Sequence, residues 1–160
     1  MKKKQALVKK IVAALVEEVE RFAKAARASH AEATDPQSKA EHKYDTRGLE
    51  AAYLAGGQAR MVAELEESIV QFQKLRLQEF DAQTPIDLSA LVEIEMRGGS
   101  NWYFVAPKNG GVEVIHEKKE ITVITPQSPL GEQLMEKKQG DRFRFGAGKD
   151  AVEGKILSVS

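Results

Sequence analysis

Residues 35–45 read Asp35-Pro-Gln-Ser-Lys-Ala-Glu41-His-Lys-Tyr-Asp45, and this short polar run decides how the rest of the chain is read. It separates two long stretches of helical periodicity. Two antiparallel helices joined by a loop of carboxylates make a probe that carries charge away from the body of the protein. The whole tip region spans about residues 30–46.

On the N-terminal side, Val8, Val12, Leu15, Val19, Phe22, Ala26 and Ser29 recur at alternating steps of four and three. That is the seam of a coiled coil, widened by Ile11, Val16 and Ala23. It predicts a helix over about 5–29. On the other side Thr46 is a fitting N-cap, and Leu49, Ala52, Gly56, Ala59, Val62, Leu65, Ile69 and Phe72 lie along one side of a helix running to about Phe80. The spacing of this second set is nearer 3.3 residues per step in places, which predicts a drifting seam. Residues near the base are large, whereas Ala25, Ala26 and Ala28 face Ala51, Ala52, Ala55, Gly56 and Ala59 near the tip. Alanine is also simply the best helix former. Gly56-Gly57 weakens the helix by roughly 1–2 kcal/mol relative to alanines, for which a bend or very close packing is the expected reason.

From about Asp81 the period changes to two. Ala82 to Pro85 reads as a linker, Asp81 to Pro85 as a segment that can act as a hinge, and Leu91–Met96 alternates as a strand. Gly98 to Asn101 gives a turn into Trp102–Val105, and Lys108 to Gly111 gives another. Strands follow at Val112–Ile115 and Ile121–Ile124. Ser128-Pro129 starts a short helix with Leu130, Leu134 and Met135 on its apolar side. Arg142–Phe145 and Gly154–Val159 complete a small antiparallel sheet. The expected class is α+β, divided at about residue 80 into 1–80 and 81–160.

Composition narrows the function classes. The 160 residues support one ordinary domain or two small ones. Lys and Arg number 24 against 24 Asp and Glu, so there is no global pull toward nucleic acid or anionic membrane. The run Lys2-Lys3-Lys4 reads as a solvated helix start, because three residues neutralise few phosphates. The absence of cysteine removes disulfides, thiol catalysis and zinc ribbons. Without an apolar leader or a bilayer-length apolar run, a soluble cytoplasmic protein is the expectation.

The hairpin with its acidic tip, followed by Thr125-Pro-Gln-Ser-Pro-Leu-Gly-Glu-Gln-Leu134 and then Gln139-Gly-Asp-Arg-Phe143, resembles the bacterial Gre transcript-cleavage factors (GreA/GreB type) over nearly the whole chain. The resemblance implies an FKBP-like C-terminal domain that docks on the rim of the RNA polymerase secondary channel through Ser128, Pro129 and Leu130, while the coiled coil enters the channel. It implies a cytoplasmic, monomeric accessory factor with bacterial RNA polymerase as partner and no membrane attachment. Such a factor has no cofactor of its own and shares Mg²⁺ with the polymerase.

The family tip reads Gly-Asp-x-x-Glu-Asn. Placing Glu41-His42 on its Glu-Asn puts Ser38 at the other acidic position, with Asp35 three residues before Ser38 and Asp45 four residues after Glu41. What the resemblance implies is that Asp35, Glu41 and Asp45 are the catalytic candidates, with Asp35 and Glu41 as metal ligands only in complex with the polymerase. Mg²⁺ prefers about six oxygen ligands, so one or two added carboxylates complete a half-built site, and in a two-metal arrangement one ion holds the attacking water. With one well-placed carboxylate the factor occupies the channel without stimulating cleavage.

Lys39, Lys43 and Arg47 are candidates for contact with the nascent RNA 3′ end, and equally are ordinary solvated charges. Tyr44 either stacks on a base or packs over Leu49. His30, Glu32, Asp35, Glu41, His42 and Asp45 have the right atoms for a metal, but their spacing matches no compact zinc pattern. Of Trp102, Tyr103 and Phe104, at least one belongs to the core. Three classes therefore stand: a cleavage-stimulating polymerase factor, a non-cleaving channel regulator, and a small FKBP-like prolyl isomerase or coiled-coil adaptor, for which one aromatic triplet is thin support.

Overall fold

The structure, a computed structural model, describes residues 1–38 and 47–160, and of Ser38 and Arg47 the backbone alone. It is α+β. Helix α1 (Lys2–Thr34) is followed by a 3₁₀ turn (Pro36–Ser38) and helix α2 (Arg47–Lys74). Then come strands β1 (Leu91–Met96), β2 (Gly99–Val105), β3 (Glu113–His116) and β4 (Lys119–Ile124), a short helix α3 (Pro129–Leu134), and strands β5 (Arg142–Phe145) and β6 (Val152–Val159). Two compact units result. One comprises residues 1–12 and 71–160, the other residues 13–70.

In the first unit the sheet has the order β3-β4-β2-β1-β6-β5. It is mixed, which corrects the antiparallel expectation: β2 and β4 run parallel, with Tyr103 opposite Thr122 and Val105 opposite Ile124. After β2 the chain passes beyond the site of β4 to lay down β3 at the edge, and a two-residue hairpin returns β4 alongside β2. That hairpin turns at Glu117 and Lys118, whose φ angles of +48° and +63° are those of a type I′ turn. The turn between β1 and β2 is of the same kind, at Arg97 (φ +54°) and Gly98 (φ +76°), one residue earlier than glycine content suggests. Type I′ turns match the right-handed twist of the strands they join, so backbone twist outweighs residue preference here.

One sheet face carries Val92, Ile94, Val105, Phe143 and Ile156, packed with Leu130 and Leu134 of α3 and with Ile86. Phe104, Ile121 and Val123 are also fully or almost fully buried, and register places Phe104 and Val123 on the opposite face from Tyr103. Within this unit Lys3 and Lys10 of α1 bind Glu117 and the Ile115 carbonyl, at 3.2 and 2.7 Å. Leu7 and Ile11 are fully buried, while Val8 and Val12 are only partly so. The deepest residues at the base of α1 are therefore one position earlier than the periodic seam predicts.

Helix α2 ends at Lys74, six residues before the expected Phe80. The segment after it is held by the sheet unit instead of its own helix: the Gln78 amide donates to Ser89 Oγ at 2.9 Å, and Phe80 packs on the core. The segment expected to act as a hinge contains a closed turn. Asp81 Oδ1 accepts from the Gln83 and Thr84 amides and from Thr84 Oγ1, at 2.9, 2.8 and 2.7 Å. These bonds hold the Asp81 carboxyl below its usual range, led by the one from the Thr84 side chain.

Candidate functional site

In the second unit, the inward residues of α2 are Ala51, Ala55, Gln58, Val62 and Leu65, with Ser68 beyond them. The steps alternate between four and three without drift. Leu49, Tyr53 and Leu54 are exposed instead, at 58, 75 and 56%. This corrects the expected inward set of Leu49, Ala52, Gly56 and Ala59. Holding an unbroken 3–4 alternation back from Leu65 favours small side chains at the seam over the larger Leu49, whose burial would require an over-wound helix. Ser29, buried on α1, donates its hydroxyl to Gln58 Oε1 at 3.2 Å, a polar link between the two helices. Methyl groups added at Gly56 or Gly57 would meet nothing within 4 Å, so close packing is not the reason for the glycine pair.

Helix α1 ends where Thr34 Oγ1 turns back to the His30 and Ala31 carbonyls, at 3.0 and 3.2 Å. Asp35 follows. Its Oδ1 accepts the Gln37 amide at 2.8 Å, an Asx turn that starts the 3₁₀ segment and leaves the carboxylate exposed. Glu41 and Asp45, the other two carboxylate candidates, lie outside the described residues, as do Lys39, Lys43, His42, Tyr44 and Thr46, and the Arg47 side chain. Among the described residues, no three His, Cys, Asp or Glu side chains are grouped to hold a metal ion. Among the described residues, Asp35 has no companion ligands for a cation.

Ser128 caps α3. Its hydroxyl donates to the Thr125 carbonyl at 2.8 Å and accepts the Gly131 amide at 3.1 Å, with Pro129 in the first turn. A Cβ on Gly131 would overlap the Thr125 carbonyl oxygen, so this position requires glycine. Leu130 is 8% exposed and belongs to the core, whereas Pro129 is exposed. Gly140 takes a left-handed conformation (φ +91°), and Asp141 Oδ2 closes the turn on the Lys138 amide at 2.8 Å. The aromatic triplet divides its roles. Phe104 is fully buried, Tyr103 packs against the core, and Lys119 lies 3.4 Å from the centre of the Trp102 ring.

Two residues were not singled out by the sequence reading. Lys4, taken there as part of a solvated lysine run, is only 7% exposed, and His116 is 8% exposed. Its place three residues before Leu7 and seven before Ile11, a three–four spacing, is the one local signal that puts Lys4 on the buried face.

Among the described residues no helix is long and apolar enough to cross a membrane. No protein-family model matches the chain, and no curated protein matches it. Its structural neighbours are Gfh1 and GreA/GreB transcription elongation factors. Gfh1 of Thermus aquaticus is 22% identical, with 94% of this chain and 92% of that one covered and a TM-score of 0.40. GreA factor homolog 1 (Gfh1) of Thermus thermophilus is 20% identical, with coverage of 93% and 94% and a TM-score of 0.38. The prokaryotic transcription elongation factor GreA/GreB from Nitrosomonas europaea is 14% identical over 60% of this chain and 78% of its own, with a TM-score of 0.37.

Proposed function

We propose that this chain is a Gre-type transcription elongation factor that binds bacterial RNA polymerase, with residues 1–80 forming an antiparallel coiled coil that enters the secondary channel and residues 81–160 an FKBP-like docking domain. The observation that carries this reading is the motif from Thr125 to Phe143. Its residues resemble the family's, and each has a definite job in this fold: Ser128 caps, Gly131 permits close approach, and Gly140 and Asp141 close a turn. The protein is then an accessory cytoplasmic factor and not itself an enzyme.

In this reading Asp35, Glu41 and Asp45 supply carboxylate oxygens to the polymerase active site. There they would hold Mg²⁺ together with the polymerase's own ligands, and the ion would supply Lewis-acid stabilisation of the charge on the transcript phosphate. Asp35 presents a carboxylate whose orientation is limited by its bond to the Gln37 amide. Lys39, Lys43 and Arg47 neutralise phosphates near the RNA 3′ end. With Leu130 in the core, docking falls to Pro129 and the exposed surface beside it.

A second reading, channel occupancy without cleavage, is favoured by Ser38, which stands where the family carries its other acid. Stalled bacterial RNA polymerase complexes in Mg²⁺, with and without the protein, decide between them. Shortened 3′ ends that vanish with Glu41→Ala and with Asp35→Ala or Asp45→Ala identify the cleavage factor and its carboxylate pair. Competition with a known channel binder without any shortening identifies the occupancy regulator. Neither effect would overturn both readings.

A further inference from the structure

Gln5, Val8, Lys9 and Val12 of α1 follow the spacing i, i+3, i+4 and i+7, the four-residue hole that receives one side chain of a facing helix in coiled-coil packing. Within the sheet unit that hole has lost its facing helix. Helix α2 stops at Lys74, and the four α1 residues line a groove of about 480 Å³ whose other wall carries Phe72, Leu75 and Leu77. Val8, Val12, Leu75 and Leu77 are only partly buried, so the open walls are aliphatic. Phe72, at 1% exposure, has no ring face to offer a ligand.

The charge around this groove has one sign. The chain as a whole balances 24 basic against 24 acidic residues, yet the two stretches that build the groove, residues 1–12 and 71–78, contain no aspartate or glutamate. Lys3 and Lys10 are answered elsewhere in the unit, by Glu117 and the Ile115 carbonyl. Lys9 in the groove wall, and Lys2, Lys74 and Arg76 in the same two stretches, are exposed cations. Phosphates alone would satisfy the cations but leave the aliphatic walls wet, and no exposed aromatic ring is present in the groove for a base to stack on.

We propose that this groove receives an acidic amphipathic helix of a partner protein. A leucine-sized side chain of that helix fills the hole made by Gln5, Val8, Lys9 and Val12, and carboxylates on its flanks face Lys9 and the neighbouring cations. Burial of the aliphatic side chain supplies affinity, while the cations select the sign of the partner and speed its approach. The groove uses none of the residues assigned above to the tip or to docking, so the inference stands or falls apart from that reading.

The test uses the full chain with labelled valine methyl groups, at low ionic strength and neutral pH, and follows Val8 and Val12 by NMR. It is titrated with three helical peptides of about 18 residues: leucines at i, i+4 flanked by glutamates, the same leucines flanked by lysines, and the glutamate peptide with alanine for each leucine. The expected result is a saturating shift with the leucine–glutamate peptide, with a midpoint of about 0.1–1 mM, and binding about tenfold weaker for each of the other two. Lys9→Glu, an exposed substitution that leaves the core intact, narrows the preference for the glutamate over the lysine peptide several-fold. Val8→Thr weakens binding of the leucine–glutamate peptide. No saturable shift up to about 5 mM, equal midpoints for the three peptides, or a preference unchanged by Lys9→Glu overturns the proposal. So does tighter binding of decathymidylate than of the leucine–glutamate peptide, which would assign the cations to nucleic acid.

Discussion

The ammonium of Lys4 sits 2.7 Å from the carbonyl oxygen of Gln78, and this bond ties the first turn of α1 to the extended run that follows α2. Residues 74 positions apart are thus joined through a buried charge. The consequences reach the fold and its response to pH.

Lys4 predicts a rise of stability with pH. Its ordinary value of 10.5 falls to about 8 in the folded chain, so between these values the unfolded state binds more protons and stability increases as pH rises. Below about 8 the charge is buried in the folded state and its cost is present in full. Allowing for solvent screening, the gain is about 1–2 kcal/mol. Urea unfolding of wild type and Lys4→Met from pH 7.5 to 9.5 should show the rise in wild type alone. The Tyr103 phenol, raised by burial, acts oppositely, and its contribution is lost only above the ordinary tyrosine range.

Gly131→Ala should destabilise the sheet unit by about 2–3 kcal/mol, since the new methyl group enters the space of the Thr125 carbonyl and of Ser128 Oγ. Ser128→Ala, which only removes the cap, should cost about 1 kcal/mol. Denaturant midpoints of the two variants in parallel check the order. An equal effect would mean that α3 shifts to accept the methyl group.

On α2 the 3–4 register makes opposite predictions for neighbouring positions. Ala55→Leu places bulk in the seam and should cost about 1–3 kcal/mol. Leu49→Gln, at a site 58% exposed, should stay within about 0.5 kcal/mol of wild type. Thermal unfolding followed by circular dichroism distinguishes this register from one with Leu49 inward, for which the two results would be reversed.

Gly56→Ala and Gly57→Ala should each stabilise the helix by roughly 0.5–1 kcal/mol, because each added methyl group meets nothing within 4 Å and the backbone loses freedom in the unfolded state. Unfolding free energies of the two single variants and the double variant measure this. A loss of stability would point to a structural demand for glycine that packing within this chain does not explain.

Particular elements show how far local pattern reaches. Leu91–Met96 and Arg142–Phe145 are strands over the very residues that alternation marks, and Ser128-Pro129 caps α3 as its residue types require. On α2 the same kind of pattern misled, because a large side chain, Leu49, was given more weight than unbroken spacing. At the candidate tip, Asp35 was legible as a carboxylate at a helix end, while its bond to Gln37 needed coordinates.

By itself the sequence determined the existence of the helices and strands and the α+β class, since these rest on periodicities and caps that act within a few residues. Only the tertiary structure decided that β4 lies parallel to β2, that α2 gives way at Lys74, and that Lys4 and His116 are buried in one cleft. Each of those outcomes depends on residues far apart in the chain competing for the same space and the same hydrogen bonds, and that competition leaves no short-range mark in the sequence.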